Sequence, residues 1–167
     1  MAAQKKVIDT WKTKQWYGIV TPKFLNEKEI AQIAAQDEET IINRIILVQL
    51  KDISGDAFHT FTTIKLRVEE VKGKTAYTKF IGHEVSRDYI KSLVRHGRDI
   101  INIVMPAKSM DGIEFRVKAV VITDVKCSKG QRTALYNLSK KFLKEKAANS
   151  EFGKMIHEII YGKVSGE

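Results

Sequence analysis

The stretch 58–71 constrains this chain most. Phe61, Thr63, Lys65, Arg67 and Glu69 fall on one side of an extended backbone, and Thr62, Ile64, Leu66, Val68 and Glu70 on the other. One apolar and one polar side at a period of two is the mark of a half-buried antiparallel strand. Lys72-Gly73-Lys74 turns the chain into a return strand over 75–81. A second hairpin is expected further on: a strand over 99–107, the turn Asp111-Gly112, and a partner over 114–123 with Phe115, Val117, Ala119 and Val121 inward and Glu114, Arg116 and Lys118 outward.

Around these hairpins the remaining elements follow. Trp16-Tyr17-Gly18-Ile19-Val20 reads as a first strand stopped by Thr21-Pro22. Asn26 with Glu29 three residues on resembles a capping box, and Ile30, Ile33 and Ala34 would give a short helix one apolar side. The β-branched run 40–50 reads as a strand, followed by a turn at Ser54-Gly55-Asp56. Ser86 is placed to cap a helix with Ile90, Leu93 and Val94 inside and Gly97 as its stop. From Thr133 on the period is helical: Leu135, Leu138, Phe142 and Leu143 mark one side of a long helix, and Phe152, Met155, Ile156, Ile159 and Ile160 one side of a second. The expected class is α+β: a basic N-terminal arm (1–15), an antiparallel, barrel-like β core with two short inserted helices (16–125), and a basic helical C-terminal region (126–167).

Charge distribution gives the first functional lead. The net charge is +9, and its placement matters more than its size. Residues 5–23 carry five lysines and one acid, and residues 126–146 carry seven bases and one acid. The rest holds seventeen bases and eighteen acids, so two segments supply the whole surplus. Clustered cations are the footprint expected for a polyanion. With 43% apolar residues the chain can bury a core, and no apolar run approaches the roughly 18 residues of a membrane helix. The N-terminus has no secretory pattern, and the single cysteine, Cys127, excludes an internal disulfide and fits a reducing cytosol.

The rear segment predicts a helix whose row Arg132, Tyr136, Lys140 and Lys144 stacks at four-residue spacing, with Asn137 and Lys141 beside it. Lys126 and Lys129 lead into it on a mobile stretch in which Ser128 and Gln131 are hydrogen-bond donors for RNA. Phosphates would neutralise such a face and release condensed counterions. In the arm, Lys12 and Lys14 stand beside rings that could stack on unpaired bases. Trp16 opens a strand and reads as a first core residue, so Trp11 is the better stacking candidate. The proposed RNA contacts are Lys5, Lys6, Trp11, Lys12, Lys14, Lys23, Lys126, Lys129, Arg132, Tyr136, Lys140, Lys141 and Lys144.

Enzymatic signatures are missing. His59, His83, His96 and His157 share no ligand spacing, and there is no phosphate-binding loop or nucleophile elbow. Cys127 has basic neighbours but no histidine close in sequence. Neither a metal, a cofactor nor a catalytic residue is expected. The rivals to RNA binding are a metal-dependent RNA-processing enzyme and a protein–protein adaptor with a basic helix.

Three patches resemble the archaeal and eukaryotic small-subunit ribosomal protein family S-three-A-e, also written S-one-e. They are Lys14-Gln15-Trp16-Tyr17 with Pro22 and Phe24; Gly73-Lys74, then Thr78-Lys79-Phe80-Ile81-Gly82-His83-Glu84-Val85-Ser86-Arg87-Asp88 and Ser92-Leu93-Val94; and Asp111-Gly112 with Gln131-Arg132-Thr133. The short N-terminus lacks the Lys-rich extension of eukaryotic members, which suggests an archaeal protein. The family pattern continues beyond Gly166-Glu167, so either the C-terminus is truncated or this member is short. The resemblance implies a non-enzymatic ribosomal protein in the cytoplasm, on the small-subunit platform near the mRNA exit side. It would contact ribosomal RNA and neighbouring small-subunit proteins, with a direct messenger RNA contact left open. Arg87 carries over from the family motif as a further RNA contact.

Overall fold

The computed structural model describes residues 11–25, 27–55 and 57–161. The chain forms two compact units, Met1–Val85 and Ser86–Glu167.

The first unit is built on strands β1 (Gln15–Val20), β2 (Glu29–Ala35), β3 (Ile45–Gln49), β4 (Thr62–Lys72) and β5 (Thr75–Val85), with a short helix α1 (Leu50–Ser54) after β3. They form one sheet in the order β2-β1-β5-β4-β3. The β4–β5 hairpin at its centre follows the expected alternation: Ile64, Leu66 and Val68 are fully buried, while Arg67 and Glu69 face water. Burying each such side chain stabilises the fold by about 1.5–3 kcal/mol. Gly73, with φ +62, is the first of two residues between Lys72 and Thr75, where a II′ turn requires a positive φ. Tyr17 and Ile19 of β1 join this core with Leu25, Ile41, Leu50, Ile53 and Ala76. Buried Thr21 holds the β1–β2 connection: its hydroxyl donates to the Leu25 carbonyl at 3.1 Å and accepts from the Lys28 N–H at 2.8 Å.

Four expectations need correction here. The segment read as a helix around Ile30, Ile33 and Ala34 is strand β2, paired antiparallel with β1 in the register Trp16↔Ala34, Tyr17↔Ile33. Their three- and four-residue spacing fits a helix, and pairing with another strand overrides it by placing Ile33 and Ala34 on opposite faces. The sheet is also mixed rather than antiparallel, because β1 runs parallel to β5 with Gly18↔Thr75 and Ile19↔Ala76. It is open, with β2 and β3 as edges, and does not close into a barrel. The run 40–50 is a strand only over Ile45–Gln49: Glu38–Thr40 is a 3-10 turn, and Asn43 takes φ +66. The Asn43 N–H donates to the Val68 carbonyl at 3.0 Å, so the left-handed residue kinks the chain onto the edge of β4.

The second unit contains α2 (Arg87–Leu93), the hairpin β6 (Ile100–Lys108) and β7 (Glu114–Ile122), and helices α3 (Lys129–Asn149) and α4 (Phe152–Ile160). Ser86 stands at the α2 N-cap position, though its side chain makes no capping bond, contrary to the role assigned to it. The hairpin is a separate two-stranded sheet, in the register Ile103↔Ala119 and Met105↔Val117. Ile101, Ile103, Met105 and Ala107 are buried on one face, where Met105 and Ala107 pack with Ala147 and Leu143 of α3 and Met155 and Ile159 of α4. Asp111 at the hairpin tip does more than turn the chain. Its carboxylate accepts the Phe152 N–H at 2.8 Å and so caps α4 from another element, since Glu151 at the N-cap position makes no capping bond and pairs with Lys154 at 3.0 Å instead. Phe115 packs on Phe152 with ring centroids 5.6 Å apart. Among the described residues no helix is long and apolar enough to cross a membrane.

Candidate nucleic-acid interface

The long helix α3 begins earlier than its apolar period shows, at Lys129, because a capping box starts it. The Ser128 hydroxyl accepts the Gln131 N–H at 3.4 Å, and the Gln131 amide oxygen accepts the Ser128 N–H at 2.9 Å. Both side chains are thereby fixed at the helix start through their acceptor oxygens, while the Ser128 hydroxyl hydrogen and the Gln131 amide NH2 keep their donor capacity. The Ser-x-x-Gln spacing was the signal available for this. The lead before the helix is tied down: the Asp99 carboxylate accepts the Cys127 N–H at 2.9 Å, and Arg98 pairs with Asp124 at 2.6 Å. Lys126 and Lys129 are thus held, exposed, at the start of β6 instead of sitting on a mobile stretch.

Along α3 the covered seam runs through half-buried Leu135, Ser139 and Leu143 to buried Ala147 at four-residue steps, with half-buried Tyr136 beside it. Leu138 and Phe142, expected on the docking side, are 70% and 46% exposed. They lie three residues from the seam positions Leu135 and Ser139, which carries them over its flank. Lys140, Lys141 and Lys144 are exposed on the opposite flank. Tyr136 and Lys140 meet as predicted by their spacing, the Lys140 ammonium lying 5.9 Å from the ring centroid. This contact and its half-burial leave Tyr136 a partly covered ring. Lys141 pairs loosely with Glu145 at 3.9 Å, and Lys144 lines a shallow cleft with Pro106, Ala107, Lys108, Glu114 and Ala148. Arg132 stays exposed, its guanidinium donating to the Ile100 carbonyl at 3.4 Å.

The other predicted residues belong to the first unit or to α2. Lys5 and Lys6 lie outside the described residues. Trp11 is 67% exposed, and the Lys14 ammonium sits 4.0 Å from its ring centroid. Trp16 is 61% exposed, so it is no core residue. Alternation along β1 sends Tyr17 and Ile19 inward and Trp16 outward, which makes it a second exposed ring beside the arm. Lys12 and Lys23 are exposed, Lys23 in the 3-10 turn Lys23–Leu25. Arg87 opens α2 and is exposed.

Charge separates the two units. Residues 11–85 hold eleven bases and ten acids, whereas residues 86–161 hold fifteen bases and eight acids. Among the described residues no group of three His, Cys, Asp or Glu side chains could hold a metal ion. These features define a class: a small, basic α+β protein with an open mixed sheet and an exposed cationic helix. Known proteins narrow it. The Ribosomal S3Ae family matches residues 2–167, and the chain belongs to that family. It is similar to small ribosomal subunit protein eS1 of Methanococcus vannielii, 33% identical over 159 residues that cover 95% of this chain and 72% of that protein. The eS1 proteins of Saccharolobus islandicus and Saccharolobus solfataricus are each 32% identical over 159 residues, covering 95% of this chain and 76% of theirs. The family expected from the three sequence patches is thereby borne out.

Proposed function

We propose that this chain is a non-enzymatic structural constituent of the small ribosomal subunit in the cytoplasm, holding ribosomal RNA through its basic helix and its N-terminal arm. It sits near the mRNA exit side of the platform, against neighbouring small-subunit proteins and within reach of messenger RNA. The observation that carries the reading is the run of exposed cations from Lys126 to Lys144 on a pinned helix, in a unit with seven more bases than acids. Its support is the family of small-subunit proteins to which the chain belongs. The helix and its lead supply phosphate contacts at Lys126, Lys129, Arg132, Lys140, Lys141 and Lys144. The arm adds Lys12, Lys14 and Lys23 and offers Trp11 as a ring for an unstacked base. Arg87, exposed at the start of α2, adds another cation.

Cosedimentation of the full chain with small subunits through a high-salt cushion tests the proposal. Retention with the subunits is expected. Loss at moderate salt, together with divalent-dependent RNA cleavage or with binding to acidic protein in the absence of RNA, would reject it.

A further inference from the structure

We propose that the uncovered face of the β6–β7 ribbon is a second RNA-binding surface, one that takes the sugar–phosphate backbone. It rests on the proposed ribosomal role and deepens it by adding a face distinct from the cationic helix. The two faces of the ribbon differ sharply. One carries Ile101, Ile103, Met105 and Ala107 and is buried. The other carries Asn102, Val104 and Pro106 on β6, paired with Val120, Lys118 and Arg116 on β7. Val104 is 54% exposed and Val120 41%, and Arg116 and Lys118 both face water.

The chemistry of this face points to a polyanion. Neither Arg116 nor Lys118 has an ion-pair partner among the described residues. The acid nearest in sequence, Glu114, is engaged by Lys108 at 3.6 Å. The two cations are two residues apart on one strand, about 6.8 Å along it, and so can reach successive phosphates. Val104 and Val120 offer small apolar contacts for ribose, and Asn102 brings both donors and an acceptor for a 2′-hydroxyl. A protein-docking core would instead be poor in charge and rich in aromatic rings. The cationic lead of α3 meets the first residues of the same ribbon, where Arg132 bonds to Ile100 and Asp99 holds Cys127.

The test uses the full chain with in vitro transcribed small-subunit ribosomal RNA, and polyglutamate as an acidic-protein probe. Variants are R116Q/K118Q, the charge-preserving R116K/K118R, and K140Q/K141Q/K144Q, each checked by thermal melting. With a salt slope of about 0.7 per phosphate contact, R116Q/K118Q should bind RNA about 25-fold more weakly at about 0.1 M salt, with the slope reduced by about 1.4. R116K/K118R should keep the wild-type slope. Wild-type affinity in R116Q/K118Q, with loss in the helix variant, would overturn the ribbon site and leave the helix reading standing. Wild-type affinity in both would overturn the RNA reading itself. Unchanged RNA binding with loss of polyglutamate binding would make the face a protein-docking surface and refute the inference.

Discussion

Replacing Lys140, Lys141 and Lys144 by glutamine isolates the exposed flank of α3 from the rest of the protein. All three side chains are exposed, so the fold should survive. Their free energy in the folded chain is small: the Lys141–Glu145 pair at 3.9 Å is exposed on both sides and contributes at most about 1 kcal/mol. Lys140 and Lys144 repel each other at four-residue spacing by about 0.2–0.5 kcal/mol, and the substitution relieves this. Thermal stability should therefore stay within about 1 kcal/mol of wild type. The effect on binding is far larger. Lys140 and Lys144 count as two full phosphate contacts, and Lys141 as a third once RNA displaces Glu145. At about 0.7–0.9 in salt slope per contact, the slope should fall by between about 1.4 and 2.7. At about 0.1 M salt this corresponds to a loss of between about 25-fold and 500-fold in affinity. Fluorescence anisotropy with labelled ribosomal RNA across a salt series reads both quantities. An unchanged slope in a normally folded variant would refute the helix as a contact.

Three further outcomes follow from the fold. D111A removes the carboxylate that caps α4 and should destabilise the second unit by about 1 kcal/mol in urea unfolding, while D111N, which keeps an acceptor oxygen, should lose less; equal losses would contradict the capping role. W16A should cost under about 1 kcal/mol because the ring is exposed, whereas a loss of about 3–5 kcal/mol would return Trp16 to the core. His83 lies opposite Ile64 on β5; it is exposed at the surface, yet the chain around its ring desolvates the imidazole enough to lower it below the ordinary value of 6.5. The unfolded chain then binds this proton more readily than the folded one. Stability present in full above that value should fall as the pH drops through it, and H83Q should flatten this part of the profile; an identical profile in H83Q would contradict it.

Much of the fold was legible where a pattern is local. The alternation of Ile64, Leu66 and Val68, the turn at Gly73 and the hairpin at Asp111-Gly112 all follow from short-range sterics and one-sided burial. What escaped depends on distant partners. Ile30, Ile33 and Ala34 satisfy a helical period, and only the ladder to β1 makes them β2, with Ile33 on the Tyr17 side and Ala34 on the Trp16 side. The parallel β1–β5 pairing joins residues more than fifty positions apart and leaves no local trace. Trp16 was misplaced because it opens a strand and so reads as a first core residue, while register sends it outward. Within the candidate site, the cation row of α3 was visible in its spacing. Its anchoring was not, since Asp99 reaches Cys127 across twenty-eight residues. The exposed flank of Leu138 and Phe142 was missed for a related reason: the seam is set by where β6 meets α3, through Leu143 and Ala147 against Met105 and Ala107.

The most direct measurement of the central claim is ultraviolet crosslinking of the protein within assembled small subunits, with mass spectrometry of the RNA-linked peptides. The account predicts that linked peptides fall within 126–146 and on β7 around Arg116 and Lys118. RNA-linked peptides confined to β2, β3 and β4, with the helix and the ribbon unlinked, would contradict it.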